Sequence, residues 1–222
     1  MPVSGPLKRG KGQEKVMEKR VRTGIMGGTF DPPHFGHLLI AEAARDAMGL
    51  DSVILMPSGR SYFKDHQARK VSDKYDRLEM TRIAAMTNPF FTVSDMEVLR
   101  EGRTYTAETL EILTRDHPDT DYFFIVGADT VVSMRTWYHP EEIFSRCTIL
   151  AAIREDSVKP EALTEEIGAL ERDFGARIRL LDVPNVGFSS TDIKNRLEEG
   201  RSVRYMLPEG VASYIRSKGL YV

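Results

Sequence analysis

Val21-Arg22-Thr23-Gly24-Ile25-Met26-Gly27-Gly28-Thr29-Phe30-Asp31-Pro32-Pro33-His34-Phe35-Gly36-His37 decides how this chain is read. Its apolar opening, Val21 to Met26, predicts a strand. Beyond the turn, Leu38 to Met48 is rich in alanine and leucine and holds no Gly or Pro, which predicts a helix. A strand, a glycine-rich turn and a helix start make a phosphate site: the turn amides point outward, and the helix N-terminus adds about half a positive charge. His34 and His37 sit three apart on one face of the first helical turn, at the mouth of that site. Gly36 between them removes a side chain that would hold a phosphate off the backbone. Gly24, Gly27 and Gly28 lack the G-x-G-x-x-G spacing of a dinucleotide fold, and no Gly-Lys-Ser/Thr follows to make a P-loop.

From this stretch outward, strand-like and helix-like segments alternate. Strands are expected at Ser52 to Met56, Phe90 to Val93, Asp121 to Val126, Cys147 to Ile153 and Arg177 to Leu181. The run Asp121 to Val126 is continuous and aromatic, as a central strand buried on both faces should be. Helices are expected at Asp73 to Met86 with Ser72 as N-cap, Thr106 to Arg115, Glu141 to Arg146, Pro160 to Phe174, Thr191 to Glu199 and Glu209 to Lys218. Gly200 and Gly219 close the last two. The alternation predicts one α/β domain over 21–222, doubly wound around a mainly parallel sheet. Ligands of such sheets bind beyond the carboxyl ends of the strands, where the strand order reverses. If the strands ending at Gly28 and Gly127 are neighbours, both of their glycine turns face one crevice. Residues 1–20, rich in Lys, Arg, Gly and Gln, read as a disordered basic tail, solvated or docking to an acidic partner.

A chain of 222 residues with 41% hydrophobic and 29% charged residues has the make-up of an ordinary globular domain. Its net charge of -2 argues against broad nucleic-acid binding. No apolar run is long enough to span a membrane, and the first 22 residues lack the apolar core of a secretory signal. The single cysteine, Cys147, excludes an internal disulfide and a cysteine metal cluster, so a cytoplasmic setting is expected. Cys147 itself, and Met80 and Met86, read as core residues.

The run G-G-T-F-D-P-P-H-F-G-H resembles the H-x-G-H signature of the nucleotidyltransferase superfamily, in the form carried by bacterial nicotinate mononucleotide adenylyltransferases. Ser189-Ser190-Thr191-Asp192-Ile193-Lys194 is similar to that family's later S-S-T-x-I-R motif. The resemblance spans Val21 to Val222, including Leu207-Pro208 to Tyr214-Ile215, and implies a Rossmann-like nucleotidyltransferase fold. Lys194 stands where the family usually has arginine; it keeps the charge and loses the bidentate fork. The implied reaction joins ATP and nicotinate mononucleotide into the dinucleotide and releases pyrophosphate, with Mg2+ carried on the ATP phosphates.

On that reading His34 and His37 are the catalytic donors to the phosphates. ATP is expected on Gly27, Gly28, Thr29, Phe30, Gly36, Gly127, Asp129, Ser189, Ser190, Thr191 and Lys194. Ser189 to Thr191 could equally be a plain N-cap run, and Asp129 either a ribose ligand or a turn cap. No third ligand accompanies the histidines, so no protein metal site is expected. Asp31 before its two prolines reads as a turn residue. For the acceptor, the resemblance implies that Trp137 stacks on the pyridine ring, with the Tyr138 amide near its carboxylate; a buried anchor is the other reading of Trp137. Lys64 matches the family position for the acceptor phosphate, and Thr106 the one whose amide meets the nicotinate. Oligomeric state is not legible. Two rivals stay open: a sister transferase acting on nicotinamide mononucleotide or phosphopantetheine, and a module that binds ATP without turnover.

Overall fold

Six strands hydrogen-bond in the order β4-β2-β1-β6-β7-β8, and every neighbouring pair is parallel. They are β1 (Val21–Gly28), β2 (Ser52–Pro57), β4 (Phe91–Val93), β6 (Thr120–Gly127), β7 (Cys147–Ile153) and β8 (Ile178–Asp182). A second sheet pairs two short strands, β3 (Arg60–Ser61) and β5 (Arg103–Thr104). These coordinates are a computed structural model, which describes residues 20–61, 71–153 and 159–222. Lys64, His66 and residues 1–19 of the expected tail lie outside the described residues. Arg20 is described, and its guanidinium bonds the Asp121 carboxylate at 2.6 Å.

The helices cover both faces of the large sheet. One core cluster joins α1 (Phe35–Met48), α2 (Lys74–Ala85), α8 (Ser190–Glu198) and α9 (Glu209–Lys218), through Leu38, Met80, Ile193 and Val211 among others. The other joins α4 (Thr106–Asp116), α6 (Pro140–Arg146) and α7 (Pro160–Phe174), through Leu110, Phe144 and Leu170. Along β6 the side chains divide with period two: Phe123 and Ile125 enter the first cluster, Tyr122 and Phe124 the second. That double burial is why the segment carries no polar residue between Tyr122 and Val126. Short helices α3 (Met96–Leu99) and α5 (Ala128–Val131) and a 3-10 turn (Met134–Thr136) fill the connections.

The expected crevice exists. β1 pairs directly with β6, with Met26 opposite Ile125, so the turns after Gly28 and Gly127 lie side by side where the strand order reverses. Two local expectations fail. The N-cap of α2 is Asp73, whose carboxylate accepts from the Tyr75 amide at 2.8 Å, and not Ser72. Met86 is 85% exposed, because the helix ends at Ala85 and the methionine is its cap, beyond the buried face. Met80 is fully buried as expected.

Candidate active site

A cavity of about 910 Å³ opens at the carboxyl ends of β1 and β6. Gly27, Gly28, Thr29 and His37 line one side; Thr106, Gly127, Trp137 and Tyr138 line the other. Residues far apart in the sequence thus meet in one space of the size that small-molecule sites have.

The two histidines are held by the backbone of the helix they start. His34 is the N-cap of α1, and its Nδ1 accepts from the Gly36 amide at 3.1 Å. His37 is at N3, and its Nδ1 accepts from the His34 amide at 3.2 Å. This is a capping box in which imidazoles replace the usual Ser and Glu. A nitrogen that accepts carries no hydrogen, so the hydrogen-bond network assigns the N–H of each neutral ring to Nε2. The rings lie against each other, centroids 3.9 Å apart, with Phe30 4.9 Å beyond His37. His34 is 8% exposed, and His37 is the member of the pair that lines the cavity. Gly36 has a further reason to be glycine: a Cβ there would stand 2.9 Å from the His34 ring.

The Phe30 ring is 1% exposed and packs under Gly28, so this residue offers its backbone and not its ring to the crevice. Its φ of 51° lies in the left-handed region, which turns the chain sharply after β1.

The second motif comes to the first through α8. Ser189 caps that helix, with its hydroxyl accepting from the Asp192 amide at 3.3 Å. Ser190 Oγ donates to the Pro32 carbonyl at 2.9 Å, and Phe188 meets the His34 ring edge-on at 5.6 Å. The N-termini of α1 and α8 are therefore neighbours, and Thr191 occupies the exposed first turn of α8. Lys194 has a partner inside the protein. Its ammonium is buried and donates to Asp31 Oδ2 at 2.8 Å, while Tyr221 donates to Oδ1 of the same carboxylate at 2.6 Å. Lys194 reaches back to the turn that carries the histidines, and Asp31 is a buried ion-pair partner and not a mere turn residue. Burial alone would raise the Asp31 pKa; the hydrogen bonds from Lys194, Tyr221 and Ser72 outweigh it and hold the carboxyl below its usual range.

Arg77 was not foreseen. It is 2% exposed, and its guanidinium donates to the carbonyls of Thr29 at 2.7 Å, Ser58 at 2.8 Å, and Gly59 and Ser72 at 3.2 Å. One cation thus ties together the turn after β1, the turn after β2 and the entry to α2. In sequence it is one more arginine on an amphipathic helix, so nothing local marks it.

On the far side, Thr106 starts α4, whose N-cap Tyr105 makes no side-chain capping bond. Tyr138 stacks on Tyr105 with ring centroids 4.4 Å apart. The Trp137 ring meets Phe124 edge-on at 6.3 Å within the core, and the residue also lines the cavity. Asp129 lies exposed on α5 and is not among the lining residues. Among the described residues no three His, Cys, Asp or Glu side chains gather as a metal site. No helix there is long and apolar enough to cross a membrane.

Comparison with known proteins agrees with this geometry. The model of the cytidylyltransferase-like family matches residues 25–196. A Thermoanaerobacter protein named "Probable nicotinate-nucleotide adenylyltransferase" is 43% identical over 92% of this chain and 96% of its own length. One of the same name from Lachnoclostridium phytofermentans is 43% identical over 90% of this chain and 99% of its own. The fold is that of the Plasmodium falciparum nicotinic acid mononucleotide adenylyltransferase solved with NaAD, with a TM-score of 0.73 at 17% identity, over 90% of this chain and 97% of that one. The cavity at the start of α1, the paired imidazoles with His37 in its wall and the matches over nearly the whole chain lead to one assignment: this chain belongs to the nicotinate-nucleotide adenylyltransferases of the cytidylyltransferase-like family.

Proposed function

We propose that this chain transfers the adenylyl group of ATP to nicotinate mononucleotide, giving nicotinate adenine dinucleotide and pyrophosphate, a step of NAD biosynthesis. The observation that carries this is the pair of imidazoles whose Nδ1 atoms are both engaged by the start of α1, beside a second helix N-terminus. An oxygen of the acceptor phosphate attacks the α-phosphorus of ATP. A new P–O bond forms, the bond to the β-phosphate oxygen breaks, and pyrophosphate leaves. Both reactants are polyanions, so the work is positioning and the neutralising of charge. The Nε2–H of His37, backed by His34, donates to phosphate oxygens as charge builds in the transition state. The amides of Gly27, Gly28 and Thr29 and the starts of α1 and α8 add their positive ends to the same oxygens.

Gly36, Gly127, Ser189, Ser190 and Thr191 complete the ATP side in this reading. Thr106, Trp137 and Tyr138 form the acceptor side, with Lys64 reaching the acceptor phosphate. Mg2+ would be carried on the ATP phosphates and would help to neutralise their charge. The cytoplasm is the setting that suits an ATP-consuming chain with one cysteine. Pyrophosphate release from ATP tests the reading, with nicotinate mononucleotide, its amide and phosphopantetheine compared side by side. Turnover with the nicotinate acceptor is expected to exceed the other two; preference for phosphopantetheine overturns the assignment of the acceptor.

A further inference from the structure

Glu97 is a carboxylate the reaction does not use, yet it stands in the wall of the reaction cavity. It belongs to α3, a single helical turn whose sequence gives no sign of chemistry. Its two oxygens are divided between two threonines. Thr109 Oγ1 donates to Oε1 at 2.9 Å, and Thr104 Oγ1 donates to Oε2 at 3.2 Å. Both threonines are buried. They flank Tyr105 and Thr106, one from the end of β5 and the other from the first turn of α4.

The same residue is fixed from behind. A Cβ on Gly59 would come within 2.2 Å of the Glu97 carbonyl oxygen, so the turn after β2 lies directly against α3 at that point. Gly59 is in turn held by Arg77. Burial sets the Glu97 carboxyl above the usual carboxylate range, with the Thr109 and Thr104 hydrogen bonds and the charge of Arg100 acting the other way. A carboxylate kept in the wall at that cost has a placement to maintain.

That placement is the start of α4. No side chain of Tyr105 caps the helix. Tyr105 and Thr106, at that start, line the cavity, and the two threonines that flank them are the ones Glu97 holds. Tyr105 carries the effect across, since its ring lies on Tyr138, beside Trp137. We propose that Glu97 is a positioning residue for the acceptor: by holding Thr104 and Thr109 it fixes the Tyr105-Thr106 start of α4 against the pyridine carboxylate of the bound mononucleotide. This rests on the acceptor reading given above, and it assigns acceptor affinity to a residue that does not touch the reacting phosphates.

The test is steady-state kinetics of the full chain with ATP and nicotinate mononucleotide, each varied in turn. Glu97→Ala is expected to raise the acceptor KM about 10- to 100-fold while the ATP KM moves less than about 3-fold. Glu97→Gln, which keeps an accepting oxygen at the same reach, is expected to bring the acceptor KM back to within about 5-fold of the parent. Thr109→Val removes one donor at nearly constant volume and is expected to show the same acceptor-selective rise, which covers the case of an alanine variant that does not fold. Equal rises in both KM values, an unchanged acceptor KM, or a glutamine variant no better than alanine each overturn the role given to Glu97. Absence of turnover by the parent chain with this acceptor overturns the functional reading, and the Glu97 role with it.

Discussion

Lys194 Nζ and Asp31 Oδ2 lie 2.8 Å apart in the interior, joining the end of the second motif, on α8, to the turn that carries the first. Neither side chain has more than about a tenth of its surface exposed. A buried pair of this kind is weak support for stability against an apolar replacement, but breaking one half of it is expensive. Lys194→Met is expected to destabilise the chain by about 3–5 kcal/mol, and adding Asp31→Asn to recover much of that loss. Urea denaturation of the two single variants and the double variant reads the coupling; strictly additive losses refute it.

The same carboxylate sets an acid limit. A carboxyl with a lowered folded pKa contributes stability that is present above its unfolded value and is lost as pH falls through the folded one. Since Asp31 is held low, its contribution is present at neutral pH and fades below about pH 4. The double variant Asp31→Asn with Lys194→Met is expected to show a shallower loss of stability in that range, measured by thermal melts from pH 6 downward. Parallel curves for parent and variant would exclude the linkage.

His37→Ala is expected to lower turnover about 100- to 1000-fold while ATP still binds, because the variant loses a transition-state donor and not the nucleotide pocket. Isothermal titration with ATP and a pyrophosphate assay separate the two effects. Unchanged turnover would remove the imidazole from the mechanism.

Trp137, the only tryptophan, lines the cavity and is therefore a built-in reporter. Saturating nicotinate mononucleotide is expected to change its emission, and Trp137→Phe to raise the acceptor KM more than the ATP KM. A silent titration at saturation rules out ring stacking.

Arg77→Met leaves four backbone carbonyls without their cationic donor. A loss of about 3–5 kcal/mol is expected, with KM rising for both substrates because the cation serves the turns after β1 and β2 alike. Chemical denaturation together with kinetics reads it; a variant of parental stability denies Arg77 this role.

Cys147 is 1% exposed, and burial pushes its thiol pKa up to about 12. Iodoacetamide at pH 8 is expected to leave the native chain unmodified and to label it fully in urea, as read by mass spectrometry. Rapid labelling of the native chain would contradict the buried placement.

The large sheet was legible because its strands are apolar runs cut by Gly, Pro and charged residues, and its parallel pairing followed from the strand-helix alternation, whereas the strand order itself came only from the structure. The histidine pair was legible because its spacing is local. What escaped was short or distant. α3 and β5 are too brief to carry a period, so Glu97 and Thr104 gave no signal. Asp31 meets partners 163 and 190 positions away, a separation at which one chain gives no hint of contact. The burial of Phe30 and Lys194 was not legible either, because the turn after β1 and the Asp31 partner of Lys194 are set by the fold and not by the motifs that carry them.

The hydroxyl of Tyr221 on the Asp31 carboxylate bears on how the protein is made. Synthesis runs from the N-terminus at about 5–20 residues per second, so residue 221 leaves the ribosome's catalytic centre roughly 10 to 40 seconds after residue 31. Until then both imidazoles exist on a nascent chain whose histidine turn lacks one of the side chains that hold it. Competence is thus reached late in translation, and a ribosome stalled before that point carries the whole histidine signature on an unfinished floor.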